Sequence, residues 1–124
     1  MKKIQTDKAP KAVGPYAQAI VADGVAYCSG QLGLDPATMT LQDGVEAQTR
    51  QVLANMAAVL EAAGSSPGQV VKVTVFIMDM ADFPTVNAIY GEFFDGHTPA
   101  RSTIQVAGLP LGALVEMECV AQTG

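Results

Sequence analysis

Residues 43–78 read DGVEAQTRQVLANMAAVLEAAGSSPGQVVKVTVFIM, and the periodicity of this stretch changes once. Val45, Val52, Met56, Val59, Leu60 and Ala63 recur on one helical face, the spacing of a helix laid against a core. Asp43 stands three residues before Glu46 in the manner of a capping box, and Gly64 suits a helix end. After a turn at residues 65–68, residues 70–78 are rich in β-branched and apolar side chains, which suits a buried strand.

Outward from this stretch, residues 17–20 and 25–29 read as short strands around Asp23-Gly24, a hairpin turn. Residues 1–14 read as an irregular arm, and Asp35-Pro36 opens a loop. On the other side a second helix is predicted from near Asp82, because Phe83, Val86, Tyr90 and Phe93 or Phe94 share a face. That aromatic stripe suits a core. Pro99 stops the helix, and residues 102–106 and 114–121 read as strands joined by a turn over residues 108–112. The order is strand pair, helix, strand, helix, strand pair. It predicts an α+β sheet with helices on one face and a single domain over residues 1–124.

Hydrophobic residues make up 49% of the 124 positions and charged residues 15%, against a typical charged share of ~25%. Intrinsic disorder is excluded, and so little charge points to further burial between subunits. The longest apolar run, residues 56–60, is far short of the ~20 residues a membrane helix needs. Met1-Lys2-Lys3 is followed by no apolar stretch of the kind a signal peptide carries, so a cytoplasmic protein is expected. Residues 1–11 carry Lys2, Lys3, Lys8 and Lys11 against Asp7, a net of +3. The remainder holds Arg50, Lys72 and Arg101 against eleven carboxylates, a net of −8. Such a body lacks the basic face with which proteins displace counterions from nucleic acid.

Cys28 and Cys119 are the only cysteines and His97 the only histidine, with no metal-ligand spacing among them. The cysteines lie in apolar segments and read as buried thiols, and His97 reads as a solvated loop histidine. No phosphate-loop or dinucleotide-binding glycine pattern is present.

On a strand, Arg101, Thr103 and Gln105 share one face, while Glu116 and Glu118 share a face of the last strand, ~7 Å apart. Pairing of these two strands as a hairpin would bring Arg101 near a carboxylate. An arginine fork matches a small carboxylate through two parallel hydrogen bonds, and a nearby glutamate can orient or deprotonate water. The same spacing fits an ion pair at a sheet edge or two solvated glutamates.

Several segments in order carry a family resemblance: Gly14-Pro15-Tyr16, Ser29-Gly30-Gln31, residues 48–64, 71–79 and 83–90, Pro99-Ala100-Arg101-Ser102-Thr103, Leu109-Pro110 and Val115-Glu116-Met117-Glu118. Over nearly its whole length the chain resembles the Rid (YjgF) family of reactive-intermediate deaminases, and its RidA branch in particular. The resemblance implies a chorismate-mutase-like α+β subunit assembled as a homotrimer, its sheets facing inward as a barrel and its pockets between subunits. It implies hydrolysis of 2-imino acids or their 2-enamine tautomers to 2-oxo acids and ammonia, with neither metal nor organic cofactor. Small 2-imino and 2-oxo carboxylic acids are the implied partners, with no nucleic acid and no membrane.

By the same resemblance Arg101 clamps the substrate carboxylate and Glu116 activates the hydrolytic water, while Glu118 is structural. Tyr16, Ser29 and Gly30 lie at the ligand, Phe83 and Asn87 line the pocket, and Thr103 stands where some relatives carry cysteine. Thr98, and a slightly shortened segment at residues 95–98, depart from relatives near the pocket rim. The alternatives are non-catalytic binding of 2-oxo acids as a sensor or regulator, an endoribonuclease or translation-inhibitor activity, and a chaperone role.

Overall fold

The long helix forms where the apolar spacing places it. The computed structural model describes residues 1–124 and contains six strands: β1 (Lys2–Ile4), β2 (Ala19–Ala22), β3 (Val25–Leu32), β4 (Val70–Ile77), β5 (Ala100–Gln105) and β6 (Val115–Gln122). Two helices, α1 (Val45–Ala62) and α2 (Phe83–Phe94), complete it, with single 3₁₀ turns at Pro67–Gln69, Met80–Asp82 and Pro110–Gly112. The strands make one sheet in the order β1-β2-β3-β6-β4-β5. All neighbours are antiparallel except β4 and β5.

Val52, Met56, Val59 and Leu60 of α1 meet Val73, Val75 and Ile77 of β4 and Val115, Met117 and Cys119 of β6 in one buried cluster, which Val86, Ile89 and Phe94 of α2 close. The opposite face of the sheet carries no helix. It leaves Tyr27 and Ile104 exposed and Phe76 half-buried.

The Asp23-Gly24 turn joins β2 and β3 as expected: both residues have positive φ, 51° and 76°, as a two-residue hairpin of this twist requires. Helix α1 ends as Gly64 suggests, with Ser65 N–H donating to Leu60 O (2.8 Å) and Gly64 N–H to Glu61 O (3.1 Å), a Schellman closure.

Four expectations are corrected. The capping box does not form, since the N-cap of α1 is Gly44 and no side chain caps it. The start is secured instead by buried Gln48, whose Nε2 donates to Gln42 O (3.0 Å) and whose Oε1 accepts from Leu114 N–H (2.8 Å). The amino-terminal arm is not wholly irregular: residues 2–4 pair with β2 and bury Ile4, a strand too short to show a period. Its continuation is fastened by Gln18, 1% exposed, whose Oε1 accepts from Thr6 N–H (2.7 Å) and whose Nε2 donates to Thr6 O (3.1 Å) and Pro10 O (2.8 Å). His97 is not simply solvated, for its Nε2 lies 2.6 Å from Val70 O and its ring stands against Phe94.

The fourth correction decides the site. β5 and β6 do not form a hairpin. α2 is a crossover that returns the chain parallel to β4, as parallel pairing demands. The connection to β6 then steps over the end of β4, where Val106 N–H donates to Ile77 O (2.9 Å) and Met78 N–H to Leu114 O (3.2 Å). β4 therefore lies between β5 and β6.

Gln18→Ala leaves the arm's backbone groups without their partner, at about 1–3 kcal/mol for each buried group left unsatisfied. Trypsin is expected to cut after Lys8 and Lys11 much faster in this variant than in the wild type, with the rest of the chain intact. Equal cleavage rates would show that Gln18 is not the fastener.

Candidate active site

On the uncovered face, the strand register and the arm together shape a cavity of about 640 Å³ whose walls include Tyr16, Ser29, Gly30, Met39, Leu111 and Glu116. The pairing of β3 with β6 slips between Cys28 and Gln31, so Ser29 and Gly30 form a bulge opposite Glu118 of β6. At this bulge the side chain of Glu116 lies against Gly30. A Cβ there would sit 2.8 Å from Glu116 Oε2 and 2.9 Å from its Cδ, closer than real Cβ contacts come. Gly30 is therefore the floor on which the carboxylate rests.

Glu116 is half-buried, and burial pushes its carboxyl above the ordinary glutamate range, with the negative Glu118 two residues on adding to the rise. Neither glutamate has an ion-pair partner, since both salt bridges in the chain belong to Arg50. Ser29 donates its hydroxyl proton to Ala17 O (2.6 Å) and its N–H to Gln18 O (3.0 Å). It ties down the segment that carries Tyr16, itself half exposed at the rim.

Arg101 lies elsewhere. In β5 it is opposite Val73, whereas Glu116 is opposite Phe76 on the other side of β4. Three residues along and two strand spacings across place the two backbones roughly 14 Å apart. They also project to opposite faces of the sheet, Arg101 toward α2. There its Nη1 donates to Asn87 Oδ1 (2.7 Å), and its guanidinium carbon stands 4.7 Å from the centre of the Tyr90 ring and 5.3 Å from that of Phe83. Both rings stack on the cation at distances where the attraction is appreciable.

Thr103, two residues along, buries Oγ1 without a hydrogen-bond partner, as Tyr90 buries its hydroxyl. Burial pushes the Tyr90 phenol above its ordinary range, with Arg101 opposing.

The residues singled out from sequence thus fall into two groups: Tyr16, Ser29 and Gly30 gather at Glu116, and Phe83, Asn87 and Thr103 at Arg101. One chain does not join them. Tyr90 belongs to the second group, and sequence reasoning placed it only in the core stripe. The signal was its position three residues after Asn87 and seven after Phe83, one face of the same helix. No cluster of three or more His, Cys, Asp or Glu residues arranged to hold a metal is formed, and no helix is long and apolar enough to cross a membrane.

Comparison with known proteins gives the geometry its context. Residues 6–123 match the family model described as Endoribonuclease L-PSP. A RutC family protein of Synechocystis is 56% identical over 98% of this chain and 95% of its own. The 2-iminobutanoate/2-iminopropanoate deaminase of Mus musculus is 49% identical over 99% of this chain and 92% of its own. The crystal structure of Escherichia coli TdcF with bound serine superposes with a TM-score of 0.96 at 41% identity, covering 100% of both chains. With matches of this extent in sequence and in fold, the chain belongs to the Endoribonuclease L-PSP family, the Rid or YjgF family of reactive-intermediate deaminases.

Proposed function

We propose that this protein hydrolyses 2-imino acids, or their 2-enamine tautomers, to 2-oxo acids and ammonia, as a single-domain subunit of a homotrimer with pockets between neighbours. The observation that carries the reading is the separation of Arg101 from Glu116: an anion clamp and a water-activating carboxylate of the same chain point away from each other. A neighbouring copy whose Arg101 reaches the Glu116 cavity would complete one site, as would each further pair in a closed ring. The uncovered sheet face, with exposed Tyr27 and Ile104 and half-buried Phe76, supplies the apolar surface for that assembly.

In such a pocket Arg101 pairs with the substrate carboxylate and holds C2 of the imine over the Glu116 floor. Water attacks C2, with its proton passing to the Glu116 carboxylate, and the C=N double bond becomes a single bond. The carbinolamine then collapses to the 2-oxo acid as the amine takes a proton and leaves as ammonia. A carboxyl whose proton affinity is raised accepts and returns that proton at less extreme pH than an ordinary glutamate. The deaminase relative supports this chemistry, and the serine bound by TdcF supports a pocket for small amino-acid-like carboxylates. That serine also favours, as a second reading, a pocket that only binds such acids. Retention of Glu116 beside the cavity argues for turnover, because a carboxylate sensor has no use for an acid there. The family description refers to RNA cleavage, but the net charge of −8 outside residues 1–11 opposes contact with a phosphate backbone.

Arg101→Ala is expected to abolish turnover, and Glu116→Gln to lower it ~10²–10⁴-fold with binding retained. The assay traps the imine released by an amino-acid dehydratase with semicarbazide. Mixing the two inactive variants under conditions of subunit exchange should restore activity, since a mixed trimer places one intact Arg101 against one intact Glu116. No recovery, with exchange demonstrated, would place the site within one chain.

The active form of Glu116 is the carboxylate, so turnover should fall as pH drops through a value above the ordinary glutamate range. Glu118→Gln removes the repelling charge and should move that acid limb to lower pH. An unmoved limb would assign it to another group.

Stability should move the other way. The raised folded-state pKa favours the protonated carboxyl, a contribution fully present below the unfolded value and lost as pH rises through the folded one. Glu116→Gln should therefore raise the thermal midpoint at neutral pH, with the gain vanishing in acid.

A further inference from the structure

Cys28 in β3 and Cys119 in β6 are directly opposite each other in the antiparallel ladder, and both are free and buried. Residues facing each other in such a ladder have Cα atoms either about 4.5 or about 5.5 Å apart, according to the type of pair. Both values lie within the ~4.4–6.8 Å span that a disulfide bridges. Both side chains belong to the helix-covered core. Cys28 is 8% exposed and Cys119 3%, and Cys28 borders the bulge at Ser29 and Gly30, where the ladder is already broken. The pair faces away from Glu116, takes no part in imine hydrolysis and owes nothing to that reading.

We propose that Cys28 and Cys119 are a redox-modification site that closes to an intrasubunit disulfide on reaction with a small hydroperoxide. Cys28, bordering the broken register and the more exposed of the two, is the sulfur that reacts first. Its thiolate displaces the terminal peroxide oxygen, breaking the O–O bond, and the rest of the peroxide leaves as an alcohol, or as water from hydrogen peroxide, carrying the thiol proton. Cys119 then attacks the sulfenic sulfur, the S–S bond forms, and the sulfenic oxygen departs as water with the second thiol proton. The two thiols lose two electrons and the peroxide gains them.

Polarity within the pair fits this order. Interaction with the facing Cys119 thiol holds Cys28 below its ordinary range against the opposing effect of burial, and the same interaction and burial push Cys119 up.

The test is hydrogen peroxide treatment of the reduced, folded wild-type protein, followed by thiol blocking and mass measurement. The expected result is a chain that has lost two hydrogens, a single linked peptide pair containing Cys28 and Cys119, and reversal by dithiothreitol. In Cys119→Ser, a sulfenic acid trapped by dimedone is expected on Cys28. In Cys28→Ser, Cys119 should stay unmodified. The proposal is overturned if folded wild type keeps both thiols under peroxide that oxidises the unfolded chain. Disulfides only between chains, or sulfenic acid in the wild type without linkage, would overturn it as well.

Discussion

The position of β4 between β5 and β6 is the constraint on which the site depends. It follows from the α2 crossover, which returns β5 parallel to β4. Two hydrogen bonds at the end of β4, Val106 N–H to Ile77 O and Met78 N–H to Leu114 O, seat the chain as it crosses from one flank to the other. With β4 in the middle, its core-facing Val73, Val75 and Ile77 are fully buried, as are Val115, Met117 and Cys119 beside them. The apolar gain from that row, of order 1.5–3 kcal/mol for each large side chain, holds the arrangement in register. A one-residue slip would turn every one of these side chains out of the core. The same register that buries the row sends Glu116 to the uncovered face and Arg101 to the α2 side. In the proposed reaction, which needs both groups, chemistry would thereby be coupled to assembly.

Glu116 shows how the fold keeps an acid in an unfavourable place. A half-buried carboxylate with no ion-pair partner and another carboxylate two residues away is destabilised in its charged form. It stays there because β6 is a central strand whose alternate residues are anchored in the core, and because Gly30 opposite leaves room that any side chain would fill. The bulge thus spoils two residues of pairing and supplies a cradle for Glu116.

Much of the fold was legible from the sequence, because helices and strands announce themselves through periods of 3.6 and 2. The α1 stripe, the Asp23-Gly24 turn, the closure at Gly64 and the strands flanking α2 all stand where local patterning places them. Sheet order was not legible. A connection of nine residues between β5 and β6 suits a hairpin or a step across an intervening strand equally well, and only α2 acting as a crossover decides between them. Arg101 and Glu116 were each visible as scarce charges on strand faces, but their relation is a matter of register and topology. Gln18 and Gln48 escaped notice for a different reason: polar residues inside an apolar pattern look like solvent positions until their backbone partners are known. The adjacency of Cys28 and Cys119 likewise exists only once β3 and β6 are paired.

The surroundings of Arg101 explain why its counterion should come from a ligand. An exposed arginine ordinarily loses side-chain entropy when it is ordered, which weakens whatever pair it forms. Here Asn87 holds one nitrogen, and the rings of Phe83 and Tyr90 stack on the guanidinium, so much of that ordering has already taken place. Asn87 and the two rings bring no negative charge, and the fork retains donors for a carboxylate. Replacing Arg101 by lysine would keep the charge and lose both the bidentate fork and the planar stacking, a non-conservative change at this position. A cation positioned by neutral neighbours and left without an anion is suited to bind one from outside the chain.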